Sequence, residues 1–287
     1  MTECPEVSVL MPVANPECKF FKTAVNSILA QTLKRLELFI IGPRPAAYYL
    51  SVCQELADDR VRVITTSENA TLATLRNEGL KASRTELVAM MDADDIAHRT
   101  RLDRQREFLE RHPNVAIVGS QIATVDASNC VIGYRRFPVE HDDIVRAMAS
   151  VVPLCQSAVM LRREVIMQAG GYSCGKYMVA EDYELWSRLV QRGVRFANLP
   201  HVLLRYRLHD NQLKRRHLRE TILAVLDIKD SYWRHRMEMR AYIRMWMERC
   251  VLVLPEVIIA WLVVNMLYRD SMGRPEAASE DMSEWIS

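Results

Sequence analysis

The chain has 287 residues, of which 49% are hydrophobic and 26% are charged, and its formal net charge is +2. This length and composition suit one large α/β domain with an extension, and so small a net charge gives no indication of nucleic-acid binding. The sequence has no Gly-x-Gly-x-x-Gly, no Gly-Lys-Ser/Thr and no Cys-x-x-Cys, which argues against a Rossmann dehydrogenase, a P-loop NTPase, a zinc ribbon and a thioredoxin-type redox site.

In chain order, short apolar runs alternate with amphipathic segments. The apolar runs predict strands at residues 7–11, 38–41, 61–64, 87–91, 115–118 and 202–206. Apolar residues at helical spacing predict helices at residues 20–33, 46–57, 71–82, 100–111, 162–169 and 181–192. Between residues 120 and 160 the pattern weakens. Strands that alternate with helices predict an α/β domain with a mainly parallel sheet.

An acidic turn follows the strand at 87–91 and contains Asp92, Asp94 and Asp95. In open α/β sheets, ligands bind at the carboxyl ends of the strands. Carboxylates crowded at that edge repel one another unless a cation neutralises them, and Mg²⁺ or Mn²⁺ with oxygen ligands is the natural partner. The alternative is an acidic turn that caps the next helix, because Asp is a common N-cap residue.

Seven segments, in the right order, resemble motifs of the family 2 glycosyltransferases. They are Val7–Asn15, Ser27–Thr32, Leu75–Gly79, Asp92–Asp95 with Arg101, Leu102 and Gln105, Arg162–Tyr172, Glu181–Trp186 and Arg207–Asn211. The resemblance covers roughly residues 7–212. It implies a GT-A fold, in which a mostly parallel, Rossmann-like central sheet is flanked by helices, here followed by a helical C-terminal extension.

The same resemblance implies a metal-dependent, inverting glycosyltransferase. It would move a sugar from a nucleotide-diphosphate sugar, a UDP-sugar first and a GDP- or dTDP-sugar as alternatives, to a hydroxyl of a glycan or glycolipid. Polysaccharide, lipopolysaccharide or other glycoconjugate synthesis is the expected setting. A nucleotidyltransferase and a non-catalytic binding or scaffold subunit of the same fold stay open as alternatives.

Roles for individual residues follow from the resemblance. Asp94 and His209 are expected to bind Mg²⁺ or Mn²⁺, and Asp92 is expected to hold the donor. Asp182 is the expected general base, while Asp95 is expected to cap the next helix. For His209 the alternative is a hydrogen-bonded loop histidine.

The remaining expected contacts lie on either side of the reacting centre. The donor side is expected to comprise Pro12, Val13, Ala14, Asn15 and Arg76. Glu181 and Trp186 are expected on the acceptor side. The alternative for Arg76 is a solvated helix face, and the alternative for Trp186 is the hydrophobic core.

One segment departs from the family pattern. Where relatives carry an Asp-Asp-Gly-Ser type of turn that grips the base, this chain reads Ile41-Gly42-Pro43-Arg44-Pro45. The first turn also has Ala14 in place of tyrosine. These changes predict weaker or altered base recognition, with Arg44 as a candidate phosphate contact.

The predicted organisation is a catalytic domain over residues 1–212, a helical extension over 213–269 and a disordered acidic tail over 270–287. Residues 214–249 hold ten Lys or Arg and five Asp or Glu, together with several aromatic side chains. The apolar run at 250–268 is interrupted by Pro255 and Glu256, which predicts a helix too short to span a bilayer. Peripheral membrane contact or a homodimer through 214–268 is therefore expected. The first residues lack a signal-peptide pattern, which predicts a cytoplasmic protein that acts at the inner face of the membrane if it attaches there.

Overall fold

The structure is a computed structural model that describes residues 4–14, 19–44, 47–209, 217–263 and 285. The strands of the described residues join in one sheet. They are β1 (Val7–Pro12), β2 (Leu36–Pro43), β3 (Val61–Thr66), β4 (Leu87–Met90), β5 (Ile96–Ala97), β6 (Val115–Val125), β7 (Val131–Arg135), β8 (Met160–Arg162) and β9 (Arg195–Arg207). The helices are α1 (Phe21–Leu29), α2 (Ala47–Leu56), α3 (Leu72–Ala82), α4 (Arg101–Arg111), α5 (His141–Met148), α6 (Arg163–Gln168), α7 (Glu181–Gln191), α8 (Leu218–Ile228), α9 (Met239–Val251) and α10 (Glu256–Val263).

The strand order is β3-β2-β1-β4-β8-β6-β9-β5, with β7 paired to β6. Strands β3, β2, β1, β4, β6 and β9 run in one direction, because β8 lies antiparallel to both of its neighbours, β4 and β6. The carboxyl ends of these six strands therefore meet at one edge of the sheet. The predicted α/β fold with a mostly parallel sheet is confirmed.

Both faces of the sheet are covered, as the alternation along each strand requires. In β1, Val9 and Met11 belong to one core cluster, and Leu10 belongs to the other. The second cluster also contains side chains of α7 and of the C-terminal extension. Helix α3 packs so closely on this face that a Cβ added to Gly79 would lie 2.9 Å from a methyl carbon of Leu10.

Two strands are longer than the apolar runs predicted. Strand β6 continues to Val125 and β9 begins at Arg195, because the two pair in parallel along most of their length. Buried polar residues within β6 and β9 interrupt the apolar pattern, so the full length of these strands cannot be recognised from the sequence. Gln121, for example, donates from Nε2 to the carbonyls of Phe137 and Leu199, at 3.1 Å each, so that it is satisfied inside the sheet.

The C-terminal extension packs on α7. A π-helical turn over Lys229–Trp233 follows α8 and directs two aromatic side chains back onto the domain. Trp233 donates from Nε1 to Ser187 at 2.9 Å, and the Tyr232 hydroxyl donates to Glu184 at 2.9 Å. Among the described residues, no helix has both the length and the apolar character that crossing a membrane requires.

The predicted acidic tail over 270–287 lies outside the described residues except for Trp285. That side chain is only 6% exposed and packs with Ile96, Ala123 and Val202. The guanidinium carbon of Arg205 lies 4.3 Å from its ring centroid. At this one position the side chain packs on the domain, and the disorder expected for the tail stays a prediction. The boundary predicted at 212 also falls outside the described residues.

Candidate active site at the carboxyl edge of the sheet

The acidic turn and the end of β9 meet at the carboxyl edge. Asp94 Oδ2 lies 2.9 Å from His209 Nε2, although the two residues are 115 positions apart. The short strand β5 produces this approach, because it follows the acidic turn and pairs antiparallel with β9, with Ile96 opposite Arg205. Both side chains keep part of their surface accessible, 20% for Asp94 and 15% for His209.

The Asp94–His209 pair fits a hard divalent cation. Neighbouring ligands of an octahedral ion with bonds of about 2.0–2.1 Å lie roughly 2.9 Å apart, which matches the distance between these two atoms. In the described part of the chain, no group of three or more His, Cys, Asp or Glu side chains could hold a metal. The pair would therefore need waters or ligand phosphates to complete the coordination, as is usual for Mg²⁺.

Asp95 does not cap a helix, so that prediction is wrong. Helix α4 begins only at Arg101, and β5 lies between. Asp95 is fully buried and accepts hydrogen bonds from the Ser157 hydroxyl at 2.5 Å and the Arg207 backbone N–H at 2.9 Å. Burial, and then the charges of Asp94 and Asp92, raise the pKa of Asp95 well above its ordinary value. Through these hydrogen bonds the carboxyl group of Asp95 connects the turn after β4 to the end of β9.

Arg207 is a site residue to which the sequence assigned no role. Its Nε donates to the Asp94 carbonyl at 2.8 Å, and its Nη1 donates to the Asp126 carbonyl at 3.0 Å. Its guanidinium lies 4.1 Å above the Phe20 ring, which in turn contacts His209 with 5.2 Å between ring centroids. The signal available in the sequence was an arginine two residues before the histidine, in Arg207-Leu208-His209.

Arg76 joins the acidic turn to α7. Only 3% exposed, it donates from Nη1 to Glu181 and lies within 3.4 Å of Asp92 through Nη2. Burial alone would lower the pKa of Arg76, but the charges of Glu181 and Asp92 outweigh it and raise the pKa above its ordinary value. The alternative of a solvated helix face is therefore wrong. Two motifs 105 residues apart in sequence share one ion pair.

Asp182 lies in the first turn of α7 beside Glu181. The turn contains three carboxylates, which the positive end of the helix dipole favours. Asp182 Oδ1 accepts from the Tyr183 backbone N–H at 2.8 Å, and the side chain is 5% exposed. Its charge lies close enough to Arg76 to contribute to the raised pKa of that guanidinium. The expected base is thus near the donor-side carboxylates.

The expected acceptor side is only partly present. Trp186 is fully buried and makes edge contacts with Tyr172 and Phe196, at 6.4 and 6.1 Å between ring centroids. The side chain belongs to the core, as the alternative stated for it expects, and its role on the acceptor side stays a prediction. Glu181 is 3% exposed and forms an ion pair with Arg76, so it holds the guanidinium of Arg76 in place.

The loop before α7 is held by α3. Asn77 donates from Nδ2 to the Tyr172 carbonyl and accepts from the Tyr172 N–H, at 2.8 Å each. Gly171, with φ of +70°, approaches Asn77 so closely that a Cβ would lie 2.5 Å from Oδ1. Leu75–Gly79 and the Gly170-Gly171-Tyr172 turn are thus one structural unit that fixes where α7 begins.

The expected base-binding residues follow β1. Pro12 ends the strand, and the Val13 N–H donates to the Ile41 carbonyl at 2.7 Å with its side chain buried. Ala14 is exposed, and Asn15 lies outside the described residues. On the next strand, Arg44 is exposed after β2. These positions border the carboxyl edge on the side away from β9.

Comparisons with known proteins show the family of the chain. A model of the family described as glycosyl transferase family 2 matches residues 8–169. An uncharacterized glycosyltransferase of Haemophilus influenzae is 30% identical over 222 residues, which cover 74% of this chain and 68% of the relative. An amylovoran biosynthesis glycosyltransferase of Erwinia amylovora is 30% identical over 212 residues, 73% of this chain and 79% of that protein.

A solved structure supports the fold independently. The mannosyltransferase PcManGT of Pyrobaculum calidifontis, in complex with GDP-Man and Mn²⁺, superposes with a TM-score of 0.61 at 15% identity. The match covers 97% of this chain and 79% of that chain. At this identity the likeness concerns the fold, which agrees with the GT-A architecture expected from the sequence.

Proposed function

Because the chain belongs to glycosyl transferase family 2, we propose that it transfers a sugar from a nucleotide-diphosphate sugar to a hydroxyl acceptor at the carboxyl edge of its sheet. The observation that carries the proposal is the convergence of the Asp94–His209 pair with the Arg76-linked carboxylates Asp92 and Glu181 beside Asp182. In this arrangement different side chains at one edge of the sheet would bind the metal, contact the donor and remove the proton.

Asp94 and His209 would hold Mg²⁺ or Mn²⁺. When bound, the ion would offset the negative charge that develops on the leaving diphosphate. The PcManGT complex, which contains GDP-Man and Mn²⁺ on the same fold, supports this choice of cofactor class. Arg207 positions the ligand pair, because it fixes the Asp94 backbone and packs beneath His209 through Phe20.

Asp182 would accept the proton of the attacking hydroxyl. A single base acting opposite the leaving group gives one displacement, with inversion at the anomeric carbon.

Asp92 and the residues after β1 would bind the donor. Asp92 is 31% exposed, so it can meet a ribose or sugar hydroxyl while Arg76 holds one of its oxygens. We assign Arg76 a positioning role in place of a direct contact with the donor, because its guanidinium is buried between two carboxylates. Pro12, Val13 and Ala14 would line the base, with UDP as the first choice and GDP or dTDP as alternatives.

Polysaccharide, lipopolysaccharide or related glycoconjugate synthesis is the setting we propose, with a glycan or glycolipid acceptor. The amylovoran biosynthesis glycosyltransferase supports it. In this proposal residues 1–212 form the catalytic domain of a cytoplasmic enzyme. Residues 213–269 attach it to the inner face of the membrane or to a second copy.

Three variants separate the proposed roles. Asp182→Asn should keep the Mn²⁺-dependent thermal shift caused by the nucleoside diphosphate but lower turnover by about 10²- to 10⁴-fold. Asp94→Asn and His209→Ala should lose the Mn²⁺-dependent part of that shift. Asp143→Asn, an exposed carboxylate on α5, serves as the control and should leave both readouts unchanged. Undiminished turnover in Asp182→Asn would contradict the assignment of the base.

A further inference from the structure

Exposed apolar side chains are concentrated in the C-terminal extension. Among the described residues, nine of the eleven large hydrophobic side chains that are exposed lie between 218 and 263. They are Leu223, Met239, Tyr242, Ile243, Trp246, Met247, Val253, Ile258 and Trp261. Trp246 is 62% exposed and Trp261 is 63% exposed. Large exposed apolar surfaces on soluble domains mark contact sites.

Helix α9 is apolar on two faces. Ala241 and Met245 are buried against the domain, at 8% and 1% exposure. Tyr242, Ile243 and Trp246 point to solvent from the same helix. The buried face already stabilises the packing of α9, so the outward face is not needed for folding and remains available to a partner.

Positive charge is concentrated in the same segment of the extension. Residues 234–249 contain five arginines and two glutamates. Arg234 and Arg244 have carboxylate partners within the extension, Asp230 and Glu248. Arg236, Arg240 and Arg249 are exposed and have no carboxylate partner in the part of the chain that the structure describes.

The charge pattern favours an anionic surface over a second copy of the chain. At a two-fold contact the same patch occurs on both sides, so these exposed arginines would be brought close to the arginines of the other copy in an apolar interface. Like charges opposed in this way disfavour association. Tryptophan and tyrosine beside arginine are instead the side chains that suit the interface of a bilayer with anionic headgroups.

We propose that the outward face of α9, with the neighbouring Trp261 of α10, binds the surface of a membrane that contains anionic phospholipids. The aromatic side chains enter the headgroup region, and the exposed arginines contact lipid phosphates. This inference develops the attachment part of the proposed function, and it holds whichever sugar the enzyme transfers. It also places the catalytic domain next to membrane-bound acceptors.

Co-sedimentation of the full chain with vesicles tests the proposal without any turnover. Binding is expected to phosphatidylcholine vesicles that contain phosphatidylglycerol, and weaker binding is expected to phosphatidylcholine alone and at high salt. Arg240→Gln/Arg249→Gln should weaken binding about fivefold for each arginine, about 25-fold for the pair. Trp246→Ser should weaken it more than about tenfold.

Matched controls are available on other surfaces. Arg111→Gln changes an arginine on α4 that is 74% exposed, and Met178→Ser changes an apolar side chain that is 52% exposed. Neither should alter binding. Absence of binding to anionic vesicles, or equal binding by all variants, would overturn the proposal. A dimer that Trp246→Ser converts to monomer, with no vesicle binding, would overturn it in favour of self-association. Donor hydrolysis by the same preparations reports separately on the proposed transferase activity.

Discussion

Replacing Arg76 with methionine tests whether one buried ion pair holds the two halves of the candidate site together. Arg76 and Glu181 are each 3% exposed, so solvent hardly screens their interaction. Removing one partner of such a pair leaves an uncompensated buried charge, which costs about 3–5 kcal/mol. For a chain of this size that corresponds to a fall in Tm of roughly 6–20 °C.

A double-mutant cycle separates the lost pair from lost packing. Arg76→Met/Glu181→Gln removes both charges, and it should destabilise the protein by less than about 2 kcal/mol, clearly less than the sum of the single changes. The control is Arg111→Met, whose pair with Glu107 is exposed, and it should stay within about 0.5 kcal/mol of the parent protein.

Urea unfolding followed by circular dichroism measures all four proteins and the control. If Arg76→Met lies within about 1 kcal/mol of the parent, or if the double change costs as much as the sum of the singles, the reasoning from burial is refuted. A second readout links stability to the site. The affinity for nucleoside diphosphate should fall in Arg76→Met, because Asp92 loses the group that positions it.

Three further changes test other parts of the structure. Gly79→Ala should destabilise the protein by about 1–3 kcal/mol, because the new Cβ would collide with Leu10 of β1, although alanine usually stabilises a helix relative to glycine. The control is Gly175→Ala, which has open space around it and should not destabilise the protein. Trp285→Ala should lower the stability by up to about 3 kcal/mol, because it exposes the apolar patch at β5. Removal of the last three residues should cause the same loss of stability in unfolding experiments. An unchanged Tm in both variants would contradict the packing of Trp285 on the domain. His141 accepts from the Phe196 N–H, and its pKa is lowered by burial and then by Arg195, so protonation favours the unfolded chain. Stability should therefore fall as pH decreases through the ordinary histidine value of 6.5, and His141→Asn, which keeps an acceptor, should flatten that part of a Tm-against-pH curve.

Much of the fold could be predicted because its signals are local. Alternating apolar runs located the strands of the parallel block, and helical spacing located α3, α4 and α7 within a few residues. Strands β6 and β9 were underestimated because Gln121 and Asn198 are polar, yet both donate hydrogen bonds to backbone carbonyls inside the sheet. The hydropathy of a segment does not show whether a polar side chain in it forms a hydrogen bond with a residue that is distant in sequence.

The candidate site divides in the same way. The order of motifs indicated Asp92, Asp94, Asp182 and His209 as functional residues, which the fold brings to one edge of the sheet. Their separation was not in the sequence, since the 2.9 Å approach of Asp94 to His209 depends on β5 pairing with β9.

Three side chains needed the tertiary structure before their roles could be assigned. By sequence pattern alone, Asp95 suited a cap, Arg76 either a donor contact or a solvated face, and Trp186 either the acceptor side or the core. In the fold, Ser157 and Arg207 bury Asp95, Glu181 neutralises Arg76, and Phe196 packs against Trp186. The sequence by itself determined the family, the layered architecture and the acids that we propose for the chemistry. Only the tertiary structure decided which charged groups are buried and paired, because periodicity identifies the face of an element and not the side chain that lies across from it.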